Sequence, residues 1–452
     1  MTLLRSSTGA APSPPGVSAR ALLGVSLGYF MVLLDTTVLS VAEPDLAASL
    51  HTSVAGLQWA TTGYTVAFAA LLLSAGAVAD RHGAHRVFRS GIAVFTFASL
   101  LSVFAPDLWT LVALRAVLGV AAAACVPASM AIIAQLYPDP ARRARAISIW
   151  AAISGAAVAA GPLAGGALVE AGGWRAAFLV NVPIGVAVLS LTLGRALTGP
   201  RNERRIDWLA QLAAAMVLAL LTDALIAAGS RSWIHALLSS AGALTSAAMF
   251  RVLERRSSSP VLNRALLRAG GVRAGLLAGA AVNFALTGGL FVLPLLLQQE
   301  RHLSPFETGL AFLPLTIPFA ANPPFTGRIV ARVGPRLPIM AGLTLLSAGG
   351  ATLGITILAA GGYPLLALGL LLTGFGVSCA LPALVAAIVN AAPNGTAGSV
   401  GGVLNAVRQM GATLGVAIMG AFVTVDMGWS LLVSAAVCLI ALCAFVLHSP
   451  SA

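Results

Sequence analysis

The chain has 452 residues, of which 58% are hydrophobic and only 9% are charged, and its mean hydropathy is +0.94. This composition excludes a soluble domain built around a single core and predicts an all-α membrane protein. The net charge is +12 and every positive side chain is an arginine, so the lack of lysine excludes both a GxxxxGK[ST] phosphate-binding loop and a retinal Schiff base.

Apolar segments long enough to cross a bilayer recur along the whole chain. A membrane-spanning helix needs about 20 apolar residues, and fourteen segments meet or approach that length. In chain order they are 21–43, 57–79, 87–105, 108–134, 145–169, 175–194, 206–228, 233–250, 273–297, 308–330, 337–358, 363–390, 397–424 and 428–447. The first twenty residues are predicted to form a short cytoplasmic tail, and no cleavable signal peptide is predicted because the first apolar segment is too long.

The placement of the arginines predicts the orientation in the membrane. An even number of spans puts both termini on one side. If that side is the cytoplasm, every arginine lies in an inner loop or tail except Arg115 and Arg408 within helices and Arg175, Arg231 and Arg301 in outer loops. This positive-inside pattern predicts a multi-pass protein of the cytoplasmic membrane with both termini cytoplasmic. The positive charge then contacts anionic lipids, and no nucleic-acid partner is predicted.

Two charges lie deep in the N-terminal spans, where each costs about 2.5–3.5 kcal/mol on insertion scales. Asp35 is eight residues before the outer end of its segment, and Arg115 is seven residues after the start of its own. Both therefore lie about 10–12 Å below the outer surface. An ion pair that merely holds two helices together would explain them. The alternative is proton coupling, because a guanidinium that approaches and leaves a carboxylate switches it between proton release and uptake.

A glycine-rich charged sequence opens the first inner loop, and its members are Gly76, Asp80, Arg81, Gly83 and Arg86. The glycines permit a tight turn, and Asp80 can pair with an arginine of this loop or a neighbouring one. A simple cluster of loop charges would look the same. The pattern recurs 251 residues later, from Gly327 to Gly334, with Ala331 in place of the aspartate. Such a repeat predicts two homologous six-helix halves.

The fifth apolar segment is rich in small residues. If it is helical, one face lacks side chains over Gly155, Gly161, Pro162, Gly165 and Gly166. A neighbouring helix can approach such a face to backbone contact, and Pro162 removes one hydrogen bond and bends the helix. An ordinary tight helix crossing is one interpretation, and a water-excluding seam is the other.

Polar and aromatic side chains in other spans are candidates for a central substrate cavity, although packing or interface roles would explain each of them. They are Trp59, Tyr64, Asn283, Phe284, Gln298 and Arg408. The four cysteines lack metal-ligand spacing and the six histidines lie in or near loops, so no metal site, haem or other cofactor is predicted.

Together these motifs resemble those of the fourteen-helix drug/proton antiporters of the major facilitator superfamily. The resemblance covers about residues 25–430 and rests on the sequences around Asp35, Arg115, Gly155–Gly166, Trp174–Pro183 and Arg408. Two positions depart from the family pattern. Ser40 stands where asparagine is usual, and Glu43 stands where an apolar residue is usual. We expect Glu43 to be solvated at the interface, the alternative being an added titratable group near the outer mouth.

The resemblance implies the major facilitator fold, with six-helix bundles at 21–196 and 273–447, two inserted helices within 197–272, and tails at 1–20 and 448–452. It implies that Asp35 and Arg115 couple protons, that the glycine run forms an antiporter seam, and that the loop from Gly76 to Arg86 gates the cytoplasmic side. The implied protein is no enzyme and needs no cofactor. It is a monomer that exports a small amphipathic drug, antibiotic or toxic metabolite in exchange for protons.

Two other functions stay open at this stage. A proton-coupled uptake symporter of the same fold is disfavoured because the glycine seam is, by the same resemblance, associated with exporters. A non-transporting receptor or scaffold needs no charges at membrane depth, so Asp35, Arg115 and Arg408 count against it.

Overall fold

The computed structural model describes residues 15–193, 207–256, 270–390 and 397–448, which form α-helices joined by short turns. Helices are expected because backbone groups in hydrocarbon must find their hydrogen bonds within the segment. The helices are α1 (Pro15–Ser49), α2 (Val54–His82), α3 (Ala84–Val103), α4 (Leu108–Leu136), α5 (Pro140–Leu179), α6 (Asn181–Leu191), α7 (Trp208–Gly229), α8 (Trp233–Arg256), α9 (Gly270–Leu295, extended by a π-helical turn, Leu296–Glu300), α10 (Pro305–Ala311), α11 (Leu313–Ala321), α12 (Pro323–Val333), α13 (Arg336–Leu358), α14 (Tyr363–Asn390), α15 (Ala397–Val423) and α16 (Met427–His448).

The predicted count of fourteen spans is not reproduced by continuous helices. In the described residues eleven helices are long and apolar enough to cross a bilayer, or twelve if α2, which bends by 59° between its two parts, is included. The predicted fifth and sixth segments lie in one run, Ala141–Leu191, which turns at Gly172 and Gly173. Positive φ at Gly173 makes this reversal possible without a loop.

The predicted tenth segment, 308–330, is broken into α10, α11 and α12. Each of these helices has proline in its first turn, where the missing N–H costs nothing. The same prolines cannot donate a hydrogen bond to a preceding turn, which favours a break in the helix at each of them. This part of the chain therefore forms three short helices in place of the one predicted span.

The helices pack as two bundles with a pair between them. In the N-terminal half α1 packs against α5, and α4 packs against α2 and α3. In the C-terminal half α9 packs against α15, and α13 packs against α14 and α16. Helix α7 contacts both halves through α2 and α15, and the buried hydroxyl of Ser74 on α2 donates to Gln211 on α7. The inserted pair α7–α8 is thus part of the packed structure.

The internal repeat is visible in the backbone. Gly83 ends α2 with φ +92°, and Gly334 ends α12 with φ +78°. The N–H of Gly83 donates to the carbonyl of Ala79, and that of Gly334 donates to the carbonyl of Val330. These pairs are offset by the same 251 residues as the sequence motif. Each glycine occupies a conformation that other residues rarely adopt.

Candidate functional site

Asp35 and Arg115 meet in the interior of the N-terminal half. Asp35 on α1 is 2% exposed and Arg115 on α4 is 1% exposed, and the Nη1 atom of Arg115 forms an ion pair with Oδ2 of Asp35. The other oxygen, Oδ1, accepts a hydrogen bond from Nδ2 of Asn181 at 2.9 Å. The carboxylate is therefore held between a guanidinium and an amide, away from water.

The arginine is fixed by groups other than the carboxylate. Its Nε donates to the carbonyl of Ala60 on α2 at 3.1 Å. Its guanidinium carbon lies 4.6 Å from the ring centre of Tyr64 and 6.0 Å from that of Phe178. Ring faces attract a cation, most strongly where water is excluded. Tyr64, a predicted cavity residue, thus contacts Arg115, and its hydroxyl donates to the carbonyl of Val32 at 3.4 Å.

Asn181 is a partner of this ion pair that the sequence reasoning did not single out. It begins α6, is fully buried, and also donates to Ser99 at 3.3 Å. Its Oδ1 atom is buried and has no hydrogen-bond partner among the described residues. The available signal was a lone amide in the apolar run after Phe178.

The expectation that Glu43 is solvated was wrong. Helix α1 runs to Ser49, beyond the predicted end at residue 43, because Pro44 is accommodated within it. Glu43 is 2% exposed, and its Oε1 accepts a hydrogen bond from Thr61 on α2 at 2.8 Å. Its Oε2 is buried without a partner among the described residues. A second carboxyl group therefore lies inside the bundle.

The glycine run of α5 contacts two different elements. A Cβ added at Gly165 would lie 2.8 Å from the carbonyl oxygen of Val38 on α1, and one added at Gly161 would lie 2.5 Å from Cβ of Thr37. Gly155 differs, because nothing lies within 4 Å of the position a Cβ would take. The close face of α5 against α1 therefore includes Gly161 and Gly165 but not Gly155.

The far end of the same run reaches the C-terminal half. A Cβ on Gly166 would lie 3.0 Å from Cα of Phe306 on α10. Conversely, a Cβ on Gly309 of α10 would lie 2.6 Å from the carbonyl oxygen of Pro162. Glycines on both helices therefore allow α5 and α10 to meet at backbone distance.

The hydrogen bonds that join the halves lie toward one end of the bundle. We call this the His51 end, where α1 meets α2, and the opposite one the Gly83 end, where α2 meets α3. Near the His51 end, Nε2 of Gln298 donates to Val41 at 2.9 Å. Glu170 there accepts from the hydroxyl of Ser304 and the N–H of Phe306, each at 3.1 Å.

Helices α2 and α15 complete this connection. Buried Gln58 donates to the carbonyls of Val416 and Ala417 at 2.9 and 2.8 Å. About two turns farther along α2, the hydroxyl of Thr413 lies 2.8 Å from that of Thr65. Gln298, predicted to line a cavity, instead joins the halves, and Gln58 was not predicted.

The predicted gating loop lies at the Gly83 end. Asp80, Arg81 and Arg86 are exposed there. The two ion pairs among the described residues are Arg115–Asp35 and His235–Asp223, so Asp80 is not paired with an arginine within that part of the chain. Gly76 packs loosely, because a Cβ added there would lie 3.9 Å from its nearest neighbour, the Cβ of Pro127.

Two of the predicted cavity residues form a polar cluster in the C-terminal half. Arg408 on α15 is partly exposed, and its Nε donates to Oδ1 of Asn283 on α9 at 3.2 Å. Its Nη1 donates to Oδ1 of Asn405 at 3.0 Å. The neighbouring residue Phe284 is buried. Its backbone packs closely against Gly415 of α15, because a Cβ added at Gly415 would lie 2.9 Å from the Cα of Phe284.

A stacked aromatic pair faces this cluster from the N-terminal half. The rings of Tyr29 on α1 and Trp150 on α5 are 4.6 Å apart and 7° from parallel. Tyr29 lies close to Arg408 of the C-terminal half. Neither aromatic residue was predicted to belong to a site. Trp59 is partly buried near the His51 end and does not take part in these contacts.

The two similar helical halves and the buried charge pair are typical of polytopic membrane transporters. Within the described residues, no group of three or more His, Cys, Asp or Glu side chains could hold a metal ion. The chain belongs to the major facilitator superfamily, whose family model matches residues 25–285 and 275–452. The predicted family is thereby confirmed, and the protein is a transporter rather than an enzyme.

Relatives of the chain include resistance and efflux proteins. The chain is 35% identical over 421 residues to the methylenomycin A resistance protein of Streptomyces coelicolor, covering 92% of this chain and 87% of the relative. It is 34% identical over 403 residues to the multidrug resistance protein Stp of Mycobacterium tuberculosis, covering 88% and 74%.

Solved structures share the fold. A POT family transporter in complex with a thioalcohol-conjugated peptide has a TM-score of 0.74 at 14% identity, covering 95% of this chain and 96% of its own. A bacterial homologue of the human lysosomal transporter Spinster has a TM-score of 0.70 at 16% identity, covering 98% of each chain. At such identities the likeness supports the fold alone.

Proposed function

We propose that the protein exports a small amphipathic compound from the cytoplasm in exchange for protons, by alternating access between its two halves. The names of its relatives, which include a resistance and export protein for tetracenomycin C in Streptomyces glaucescens, support the direction of transport. The observation that carries the proposal is the buried pair Asp35–Arg115. A charged pair at membrane depth is kept chiefly for function.

The direction of opening follows from the positions of the contacts. We propose that the His51 end faces outward and the Gly83 end faces the cytoplasm, with both termini cytoplasmic, because the arginines then obey the positive-inside rule. In this orientation the hydrogen bonds between the halves lie on the outer side. The described conformation is then closed to the outside, and the exposed loop of Asp80 and Arg81 lies where the halves would close in the opposite state.

Proton exchange uses the pair on α1 and α4. In the inward-open state Arg115 neutralises Asp35, and Asn181 donates to its second oxygen. A movement of α1 relative to α4 within the N-terminal half, coupled to the rocking of the two halves, separates the charges, and the carboxylate left in an apolar interior then takes up a proton. Return of the arginine expels that proton to the cytoplasm. A proton moving down the potential supplies about 2.3 kcal/mol per 100 mV, which drives export without nucleotide.

Transport into everted membrane vesicles tests the proposal. The vesicles are energised to make their lumen acidic, and they are supplied with a panel of fluorescent antibacterial compounds. Antiport export gives proton-dependent uptake, an uptake symporter gives loss of preloaded compound, and a receptor or scaffold gives no flux. Vesicles that carry the Asp35→Asn variant at equal expression are the control, and full proton-driven uptake by that variant would refute the role of Asp35.

Orientation and assembly are tested separately. Single cysteines placed at His51 and at His82, in a chain freed of Cys125, Cys379, Cys438 and Cys443, report which end faces the medium of intact cells. We expect a membrane-impermeant maleimide to label position 51 alone. Size measurement of the purified protein checks the proposed monomer.

A further inference from the structure

Arg408 is a positive charge without an acidic partner among the described residues. Its Nε and Nη1 donate to the amide oxygens of Asn283 and Asn405. These amides orient the guanidinium but do not cancel its charge. The ion pairs among the described residues do not include Arg408. A cation kept at membrane depth with neutral partners is costly unless an anion joins it.

The carboxylates in the same region are already engaged. Asp35 is paired with Arg115 and bonded to Asn181, and Glu43 accepts from Thr61. Both are 2% exposed. Neither carboxylate is therefore accessible to a compound that enters between the halves, whereas Arg408 is partly exposed.

A second donor lies in the N-terminal half, on the aromatic residue that stacks on Tyr29. The indole Nε1 of Trp150 is buried, in a residue 8% exposed, and has no acceptor among the described residues. Trp150 stacks on Tyr29, and Tyr29 lies close to Arg408. An unsatisfied buried N–H is rare in proteins and indicates an absent acceptor.

We infer that the transported compounds are acidic amphiphiles with a planar ring system. The anionic group is bound by Arg408 with the help of Asn283 and Asn405, and the ring lies along Tyr29 and Trp150. Arginine suits this role because its planar fork matches carboxylate geometry. The inference rests on the proposed export function and names the substrate class of that site.

Two xanthene dyes of similar shape and opposite charge test the class. Fluorescein is the anionic probe and rhodamine 6G is the cationic probe, each offered to everted vesicles under the same proton gradient. The variants are Arg408→Gln, which removes the charge, and Arg408→Lys, which keeps it. Arg251→Gln, at an exposed arginine of α8, is the matched control.

We expect uptake of fluorescein by the wild-type chain and by Arg251→Gln. Uptake should fall about tenfold in Arg408→Gln, the effect of losing one charge-assisted hydrogen bond, and recover in part in Arg408→Lys. Proton-driven uptake of rhodamine 6G that Arg408→Gln leaves unchanged would overturn the substrate class while leaving antiport export standing.

Binding to the purified protein in lipid nanodiscs decides the case in which neither dye is transported. Fluorescence anisotropy of fluorescein that rises with the wild-type chain but not with Arg408→Gln supports the inference independently of transport. Equal binding by both chains, or no binding of fluorescein by the wild-type chain, overturns it. If fluorescein binds through Arg408 but is not transported, the result counts against the proposed export function and not against binding of the anion by Arg408.

Discussion

Asn181 donates a hydrogen bond to the oxygen of Asp35 that Arg115 does not occupy, at a distance of 2.9 Å. Three helices, α1, α4 and α6, therefore converge on one carboxylate. Because the donor begins a short helix that follows the tight turn of α5 at Gly172 and Gly173, a movement of α5 or α6 changes the surroundings of the Asp35–Arg115 pair directly.

The first prediction concerns this amide. Asn181→Leu removes the donor at similar volume, so proton-driven export should fall about tenfold, as expected for one buried hydrogen bond to a charged group. Efflux rates at equal expression measure the loss. In an Asp35→Asn background the same substitution should have no further effect, because coupled residues are non-additive. Additive losses in the double variant would contradict the coupling.

The second prediction concerns the charges themselves. Asp35→Asn leaves Arg115 buried without a counter-charge, so the free energy of unfolding should fall by about 3–5 kcal/mol. The double variant Asp35→Asn/Arg115→Gln should recover most of that stability but no proton-driven export. Thermal denaturation of the purified chains, followed beside vesicle transport, separates the two effects. Export by the double variant would show that the pair is structural only.

The third prediction uses two glycines of one helix as matched variants. Gly165→Ala places a methyl group against the backbone of Val38, so α1 and α5 must separate, at a cost of about 1–3 kcal/mol. Gly155→Ala meets open space and should be tolerated. Thermal stability and efflux of the two variants are compared at equal expression. Equal behaviour of both would remove the argument for a close seam.

The fourth prediction concerns the connection between the halves. Gln58→Leu removes both hydrogen bonds to α15, so the population should shift toward the state open at the His51 end. Spin labels at positions 51 and 424, in the cysteine-free chain, should report a longer mean distance. An unchanged distance distribution would mean that Gln58 does not hold the halves together.

The fifth prediction concerns the buried carboxyl group that departs from the family pattern. Glu43 has an oxygen without a partner among the described residues, and an unsatisfied buried polar group costs about 1–3 kcal/mol. Glu43→Leu should therefore raise the free energy of unfolding and leave proton-driven export intact. Loss of export in a stable variant would instead place Glu43 in the coupling machinery.

Sequence reasoning located Asp35 and Arg115 at the same depth because helix rise is fixed and span ends are marked by composition. It could not find Asn181 as their partner, since contact between α1 and α6 depends on how the helices turn at Gly173. The prediction for Glu43 fails because Pro44 looks in sequence like the end of the helix, whereas α1 continues to Ser49.

The remaining misses have a common physical cause. Gln58, Tyr29 and Trp150 are residue types that occur throughout membrane helices as interface or packing side chains. The role of Gln58 depends on the approach of a second half that is hundreds of residues away in the chain, and the stacking of Tyr29 on Trp150 depends on the packing of two helices that are far apart in sequence. Likewise, no periodicity distinguishes the broken helices α10–α12 from one span, because prolines in the first turn of a helix and within it look alike in sequence.

The closure at the His51 end is made of glycine backbone contacts, amide and hydroxyl groups, and the single carboxylate of Glu170, which accepts from neutral donors. Among the described residues no ion pair crosses between the halves. Dissolved ions screen attraction between opposite charges but hardly affect short contacts of this kind. The balance between the two conformations should therefore be nearly independent of ionic strength.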